Sequence, residues 1–270
     1  MLFSCVAWPS GRTAFLSFSL FLGVLGGWKP AAGATGPGRQ PQPRIQVRPI
    51  ADKVYVHTTY HTYPGNKEPV PANGLIISTT KGAILVDTGW DSDQTLQILR
   101  WVADSLHQRV RMAVITHAHE DRLGGIPALR ANHIKVISSK ATAQRAAARQ
   151  LDVPTAALKP FTVVKAGSTK LELFFPGPGH APDNIVAWLP RQRVLFGGCL
   201  VKELSAPTPG NIDDADLKKW PTAVRTVAAR YPKATVVVPG HGAWGGLELL
   251  SHTLDVLRAP GRQAQTALSK

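Results

Sequence analysis

Along most of the chain the hydrophobic positions fall into short alternating or continuous runs broken by Gly, Pro and Asn; only a few stretches carry helical spacing. Residues 45–47, 54–58, 74–78 and 83–87 read as strands, β-rich and bounded by turn formers. Between residues 91 and 106 the period changes. Leu96, Leu99, Val102 and Leu106 make one apolar stripe, and Asp91 or Ser92 can cap that helix by accepting from its first free amide groups. Residues 112–116 form a buried strand, followed by a short helix near 126–130, a strand at 135–138 and an Ala-rich helix around 141–150. The second half repeats this grammar in outline. Strands are expected at 161–164, 170–175, 185–189, 194–196 and 235–238, a helix at 216–230, and a last helix at 247–258 with Leu247, Leu250, Leu254 and Leu257 on one face. No repeat of solenoid period occurs. Strands gathered in sheets with helices outside predict an α+β layering, two sheets packed between helices. The chain could divide near 155–159, but residues with chemistry fall on both sides, so one domain over 45–270 with its site between the halves is expected.

The N-terminus departs from this pattern. Arg12 precedes an apolar run over 14–25, and Ala31, Ala32, Gly33 and Ala34 follow. A basic start, a short apolar core and an A-x-A-like site predict a secretory signal peptide over 1–34, placing the mature protein in the periplasm. The run is shorter than the roughly 20 residues a membrane span needs, so no stable anchor is expected. Residues 35–44, rich in Gly, Pro and Gln, read as a flexible lead-in. Of the two cysteines, Cys5 would leave with the signal. Cys199 then has no disulfide partner, and for an unpaired thiol in an oxidising compartment metal ligation is a good explanation.

Composition narrows the class. Hydrophobic residues at 44% against 18% charged describe a globular chain rather than a disordered one. The formal net charge is +14, which raises nucleic acid as a partner. No Lys/Arg block and no aromatic-interleaved basic stripe accompany it, so nucleic acid is disfavoured. A field that draws small carboxylate substrates and a merely solvated basic surface are equal readings of that charge.

The chemistry gathers in four places. His117, His119 and Asp121 alternate along one extended segment, so their side chains can point the same way. His180 lies in the Gly-rich segment Gly177-Pro178-Gly179-His180, Cys199 follows Gly197-Gly198, and His241 sits in Pro239-Gly240-His241-Gly242. Each stands just past a predicted strand, beside glycines that permit close backbone approach. A lone histidine is more often core or surface, the reading given to His57, His61, His107, His133 and His252. Six donors on successive loops divide into two sets. Three neutral imidazoles make a catalytic zinc site with an open position, and Asp121, Cys199 and His241 make a second, softer one.

These segments, with Ala72-Asn73-Gly74-Leu75-Ile76, Asp87-Thr88-Gly89-Trp90, the continuation Glu120-Asp121-Arg122-Leu123-Gly124-Gly125 and Gly210-Asn211-Ile212-Asp213-Asp214-Ala215-Asp216, resemble the metallo-β-lactamases of subclass B1, the Verona and New Delhi types above all. The resemblance runs from about residue 54 to 252. It implies an αββα sandwich, a monomer, and two zinc ions. His117, His119 and His180 would hold the first, and Asp121, Cys199 and His241 the second. The implied activity is hydrolysis of the β-lactam amide of penicillins, cephalosporins and carbapenems by a metal-activated water, conferring antibiotic resistance. Asp121 would orient that water. Lys202 would bind the substrate carboxylate and Asn211 the carbonyl oxygen, while Arg122 and Asp87 support the metal loop. A hairpin flap over 57–71 would bring Tyr60 and Tyr63 over the substrate, with Trp90 near its base. Related thioesterase-type hydrolases carry histidine where this chain has Arg122 and aspartate where it has Cys199. A metal-scavenging protein would have saturated sites rather than three protein donors for each ion.

Overall fold

The computed structural model describes residues 45–268, so the expected signal peptide and lead-in lie outside the described residues. The described residues begin with an antiparallel meander, β1 (Gln46–Ala51), β2 (Val54–His61), β3 (Val70–Ile77) and β4 (Ala83–Val86). Helix α1 (Ser92–Leu106) then crosses to β5 (Val110–Val114), which lies parallel to β4. Short helices α2 (Glu120–Leu123) and α3 (Ile126–Ala131) lead to β6 (Lys135–Ser139). Helix α4 (Lys140–Ala148) leads to β7 (Thr155–Leu158), closing a seven-stranded sheet in sequence order. The second sheet holds five strands in the order β12-β11-β10-β9-β8. These are β8 (Phe161–Ala166), β9 (Thr169–Phe174), β10 (Val186–Leu189), β11 (Val194–Gly198) and, after α5 (Trp220–Arg230), β12 (Val236–Pro239) parallel to β11. Helix α6 (Glu248–Leu268) follows.

Alternation along the strands builds the layers. Leu75 and Ile77 of β3 point into an inter-sheet core with Val54, Val86, Leu171, Leu173, Phe196 and Val238. Ile76 between them points the other way, to a layer with Ile98 and Val102 of α1 and Leu129 of α3. On the far side, Leu195 and Val237 of the second sheet meet Trp220, Val224 and Val227 of α5 and Leu250 of α6. Two sheets face to face with helices on both outer faces give the four-layer αββα sandwich expected.

Several expectations shift in detail. Asp91 is the cap of α1, its carboxylate accepting from Gln94 N at 2.7 Å. The buried ridge of α1 is Thr95, Ile98 and Val102, one position round from the Leu96 stripe, because Thr95 Oγ1 turns inward to accept from Gly89 N. Helix α5 begins at Trp220, four residues later than 216, where Pro221 in the first turn presets the helical φ. Helix α2 is too short to show a period, and three of the four residues of β7 are exposed, so neither announces itself. Among the described residues no helix is long and apolar enough to cross a membrane.

Candidate metal centre

All the donor loops leave the same end of the sandwich. β5 delivers His117 and His119, the turn between β9 and β10 delivers His180, β11 delivers Cys199, and β12 delivers His241. Gly240 N donates to Gly198 O at 2.7 Å and Asn73 N donates to Gly240 O at 2.8 Å, which laces the two sheets together at this edge. Gly240 must stay small. A Cβ there would lie 2.5 Å from Cys199 Sγ, so the sulfur sits directly against bare backbone.

His119 Nδ1 stands 3.1 Å from His117 Nε2 and 3.2 Å from His180 Nε2. Imidazole nitrogens on a tetrahedral zinc, each about 2.0–2.1 Å from the metal, stand roughly 3.3 Å apart. His119 therefore stands from each of the other two rings at the separation of ligands that share a cation. Burial pushes His117 and His180 well below the ordinary histidine range, and their neighbouring imidazoles push the same way, so both rings are neutral donors at neutral pH. The second set is as compact. His241 Nε2 is 3.4 Å from Cys199 Sγ and 3.2 Å from Asp121 Oδ2, and its Nδ1 is held 2.6 Å from Pro71 O. Burial alone would lower His241, but Cys199 and Asp121 outweigh it and hold it at about 9. A pocket that fixes positive charge in this way suits a metal cation, and thiolate, carboxylate and imidazole suit zinc. Both donor sets fit the expected ions.

Arg122 ties the centre together from beneath. It is fully buried, with Nη2 donating to Asp121 Oδ2 at 2.6 Å and to Gly240 O at 2.9 Å, and Nη1 donating to Asn73 O at 2.5 Å. Burial opposes ionisation of Asp121, yet the guanidinium in contact keeps its carboxyl well below the usual range. Asp87 is 3.5 Å from Arg122 Nη1, and there burial wins, raising it to about 7. Asp87 also occupies the left-handed region at φ 61, held there as its carboxylate accepts from Thr116 N and Oγ1, both at 2.8 Å. The expected supporting roles of Arg122 and Asp87 thus have a geometric form.

His57 lies beside this network, fully buried, with the backbone of Val86 and Asp87 as its polar neighbours. A Cβ on Gly74 would fall 2.2 Å from its Nε2. Burial lowers His57 from 6.5 to about 4. The unfolded chain takes up a proton below about 6.5, while the fold resists it until about 4. His57 should therefore destabilise the protein as pH falls through that window, by at most about 3 kcal/mol. Denaturant unfolding of metal-free wild type and His57→Gln at pH 7.5 and pH 4.5 checks this. The variant should gain relative to wild type at the lower pH, and a pH-independent difference would contradict it.

Above the donors opens a cavity of about 650 Å³, lined by Tyr63, Val70 and Trp90 on one side and by Lys202, Asn211 and Asp214 on the other. Lys202 packs its ammonium 5.2 Å from the Trp220 ring, and burial lowers its pKa. Asn211 Oδ1 accepts from Asp213 N at 2.9 Å, which leaves its NH2 group as the donor to offer. In the flap, Tyr63-Pro64-Gly65-Asn66 closes a turn with Asn66 N donating to Tyr63 O at 3.0 Å and Gly65 at φ +89, a conformation that favours glycine. Tyr63 and His61 both pack on Trp90, at 5.9 and 5.0 Å between centroids. Tyr60 is not among the cavity residues. Its backbone is fastened to Gln94, with N donating to Oε1 at 2.7 Å and O accepting from Nε2 at 2.9 Å.

The sequence reading gave no role to Asp214, Asp183 or Arg145. Asp214 Oδ2 is 2.8 Å from His119 Nε2, so it fixes the tautomer that leaves Nδ1 free to ligate. Burial would raise its carboxyl, but the bonds to His119 and Arg145 prevail and hold it at about 2. Asp183 Oδ2 accepts from Ala118 N at 2.9 Å.

A model of the metallo-β-lactamase superfamily matches residues 68–241. The chain is 43% identical over 214 residues to the metallo-β-lactamase type 2 of Bacillus sp. (strain 170), covering 79% of this chain and 82% of that protein. Among solved structures it is similar to a metallo-β-lactamase from Pontibacter korlensis at 47% identity and a TM-score of 0.77, covering 80% of this chain and 99% of the other. FIM-1 from Pseudomonas aeruginosa, solved in a mono-zinc form, is 37% identical with a TM-score of 0.74 and coverage of 81% and 97%.

Proposed function

This chain belongs to the metallo-β-lactamase superfamily, and from that premise we propose that it is a subclass B1 enzyme holding two zinc ions and opening the β-lactam ring of penicillins, cephalosporins and carbapenems. It acts as a monomer in the periplasm and confers resistance to these drugs. The observation that carries the reading is the convergence of His117, His119, His180, Asp121, Cys199 and His241, linked by short donor-to-donor distances, at a cavity that His119, Asp121, His180 and His241 line.

Zinc bound there supplies a Lewis acid and makes water a usable nucleophile at neutral pH. The remaining tasks fall to the chain. Asp121, kept ionised by Arg122, orients the attacking water. The water oxygen bonds to the lactam carbonyl carbon, the C–N bond breaks, and the nitrogen takes up a proton. Lys202 binds the substrate carboxylate as a point charge, and the Asn211 NH2 group donates to the carbonyl oxygen. Tyr63, Val70 and Trp90 cover apolar substituents and keep bulk water out. No side chain becomes acylated, so no acyl-enzyme accumulates.

Metal removal tests the reading. Dialysis against a chelator should abolish hydrolysis of a carbapenem and a cephalosporin, and added zinc should restore both. A zinc-loaded protein that opens neither drug, or that turns over a thioester in preference, would overturn it.

A further inference from the structure

Arg145 lies on α4, outside both donor sets, and no step of the hydrolysis uses it. Its guanidinium reaches two carboxylates from different loops. Nε is 3.3 Å from Asp183 Oδ1, and Nη2 is 2.9 Å from Asp214 Oδ1. The second oxygen of each carboxylate turns to the histidine segment. Asp183 Oδ2 accepts from the backbone N–H of Ala118, between His117 and His119, and Asp214 Oδ2 meets His119 Nε2 at 2.8 Å. Asp183 is also three residues beyond His180. One cation therefore touches both carboxylates that hold the His117–His119 segment.

We propose that Arg145 is a positioning residue of the three-histidine site, a clamp that keeps Asp214 and Asp183 aimed at the His117–His119 segment and so raises the site's affinity for metal. The inference rests on the metal assignment made under the proposed function. Arg149 shows why a clamp is needed. Its Nη1 is 2.6 Å from Asp214 Oδ2, the same oxygen that serves His119, and it is the more exposed of the two arginines at 42% against 30%. Without Arg145 on Oδ1, the contact with His119 alone opposes rotation of that carboxylate towards Arg149 and away from the imidazole. Asp183 gives a second reason. It is buried, and Arg145 Nε, 3.3 Å from its Oδ1, sets a positive charge against that carboxylate.

The test compares wild type, Arg145→Leu and Arg145→Lys, titrated with zinc against a chromogenic chelator and separately with cobalt, whose sulfur charge-transfer band reports the Cys199 site alone. Arg145→Leu should lower the affinity of the three-histidine site about tenfold, the low end for losing an outer partner of a metal ligand, and leave the sulfur site unchanged. Arg145→Lys keeps the charge without the fork and should recover part of the loss, which also covers the case in which the leucine variant fails to fold. In an Asp214→Asn background the leucine change should cost less, since part of the effect runs through that carboxylate. Equal weakening of both sites, or a fall in melting temperature with both affinities intact, would overturn the clamp. A wild type that takes up no zinc at the three-histidine site would overturn the metal reading with it.

Discussion

Replacing Arg122 with alanine should destabilise the metal-free protein by about 3–5 kcal/mol, the range for breaking a buried ion pair by removing one partner. The reason lies in what the guanidinium satisfies. It serves two buried carboxylates, Asp121 and Asp87, and two backbone carbonyls, Asn73 O on the first sheet and Gly240 O after the last strand of the second. Removing it strips Asn73 O and Asp121 of the guanidinium donor, leaves Gly240 O with Asn73 N alone and Asp87 with Thr116 alone, and sets two carboxylates close together in a dry site. Arg122→Met should fare little better although it fills more space, because the missing component is charge. Adding Asp87→Asn to Arg122→Met should recover part of the loss, since one stranded carboxylate disappears. Denaturant melts in chelator are the right measurement, because bound metal would mask the change by mass action. A loss under about 1 kcal/mol would mean that water replaces the guanidinium and that the site is wetter than the packing indicates.

The second large effect concerns chemistry rather than stability. Asp121→Asn keeps the side-chain volume but removes the charge that faces His241 and that, on the proposed function, orients the attacking water. Turnover should fall by about 10²–10⁴-fold, the usual contribution of a positioned proton-handling group. Because Arg122 keeps Asp87 and its two carbonyl acceptors, the stability change should stay smaller than for Arg122→Ala. Steady-state hydrolysis of a carbapenem at saturating zinc separates the two effects. A kcat within tenfold of wild type would deny Asp121 its orienting role.

What could be read from the sequence was local. His117, His119 and Asp121 sit within five residues of one another, and the other donors are flagged by adjoining glycines, so patterns of a few residues suffice to pick them out. The strands of the inter-sheet core were legible for the same reason, since alternation is a property of neighbours. The supports of the metal loop were not. Asp214 lies 95 residues from the histidine it orients, and Asp183 lies 65 from the amide it accepts. Arg145 reads as one more exposed cation on an Ala-rich helix. Tyr60, expected over the substrate, is set apart from Tyr63 by hairpin register. Tyr63 and Val70 line the cavity, while Tyr60 pairs with Pro71 in the hairpin and is fastened to α1 through Gln94. A charged group paired across the fold, such as Arg122 with Asn73 and Gly240, leaves no periodic trace in the chain.

The order of the donors along the chain has a consequence for how the protein keeps its shape. Three come from one short segment of the first half, but each set is completed only by the second half, and the last donor is His241, beyond β12. A partly folded chain with only its first sheet in place owns an arm of each site and the whole of neither. Metal binding energy therefore falls on the finished fold and not on species along the way. Interactions absent from the transition state slow unfolding without hastening folding. Loaded with metal, the molecule should behave as a latch fastened last and released first, its lifetime set by how seldom the loop carrying His241 lets go.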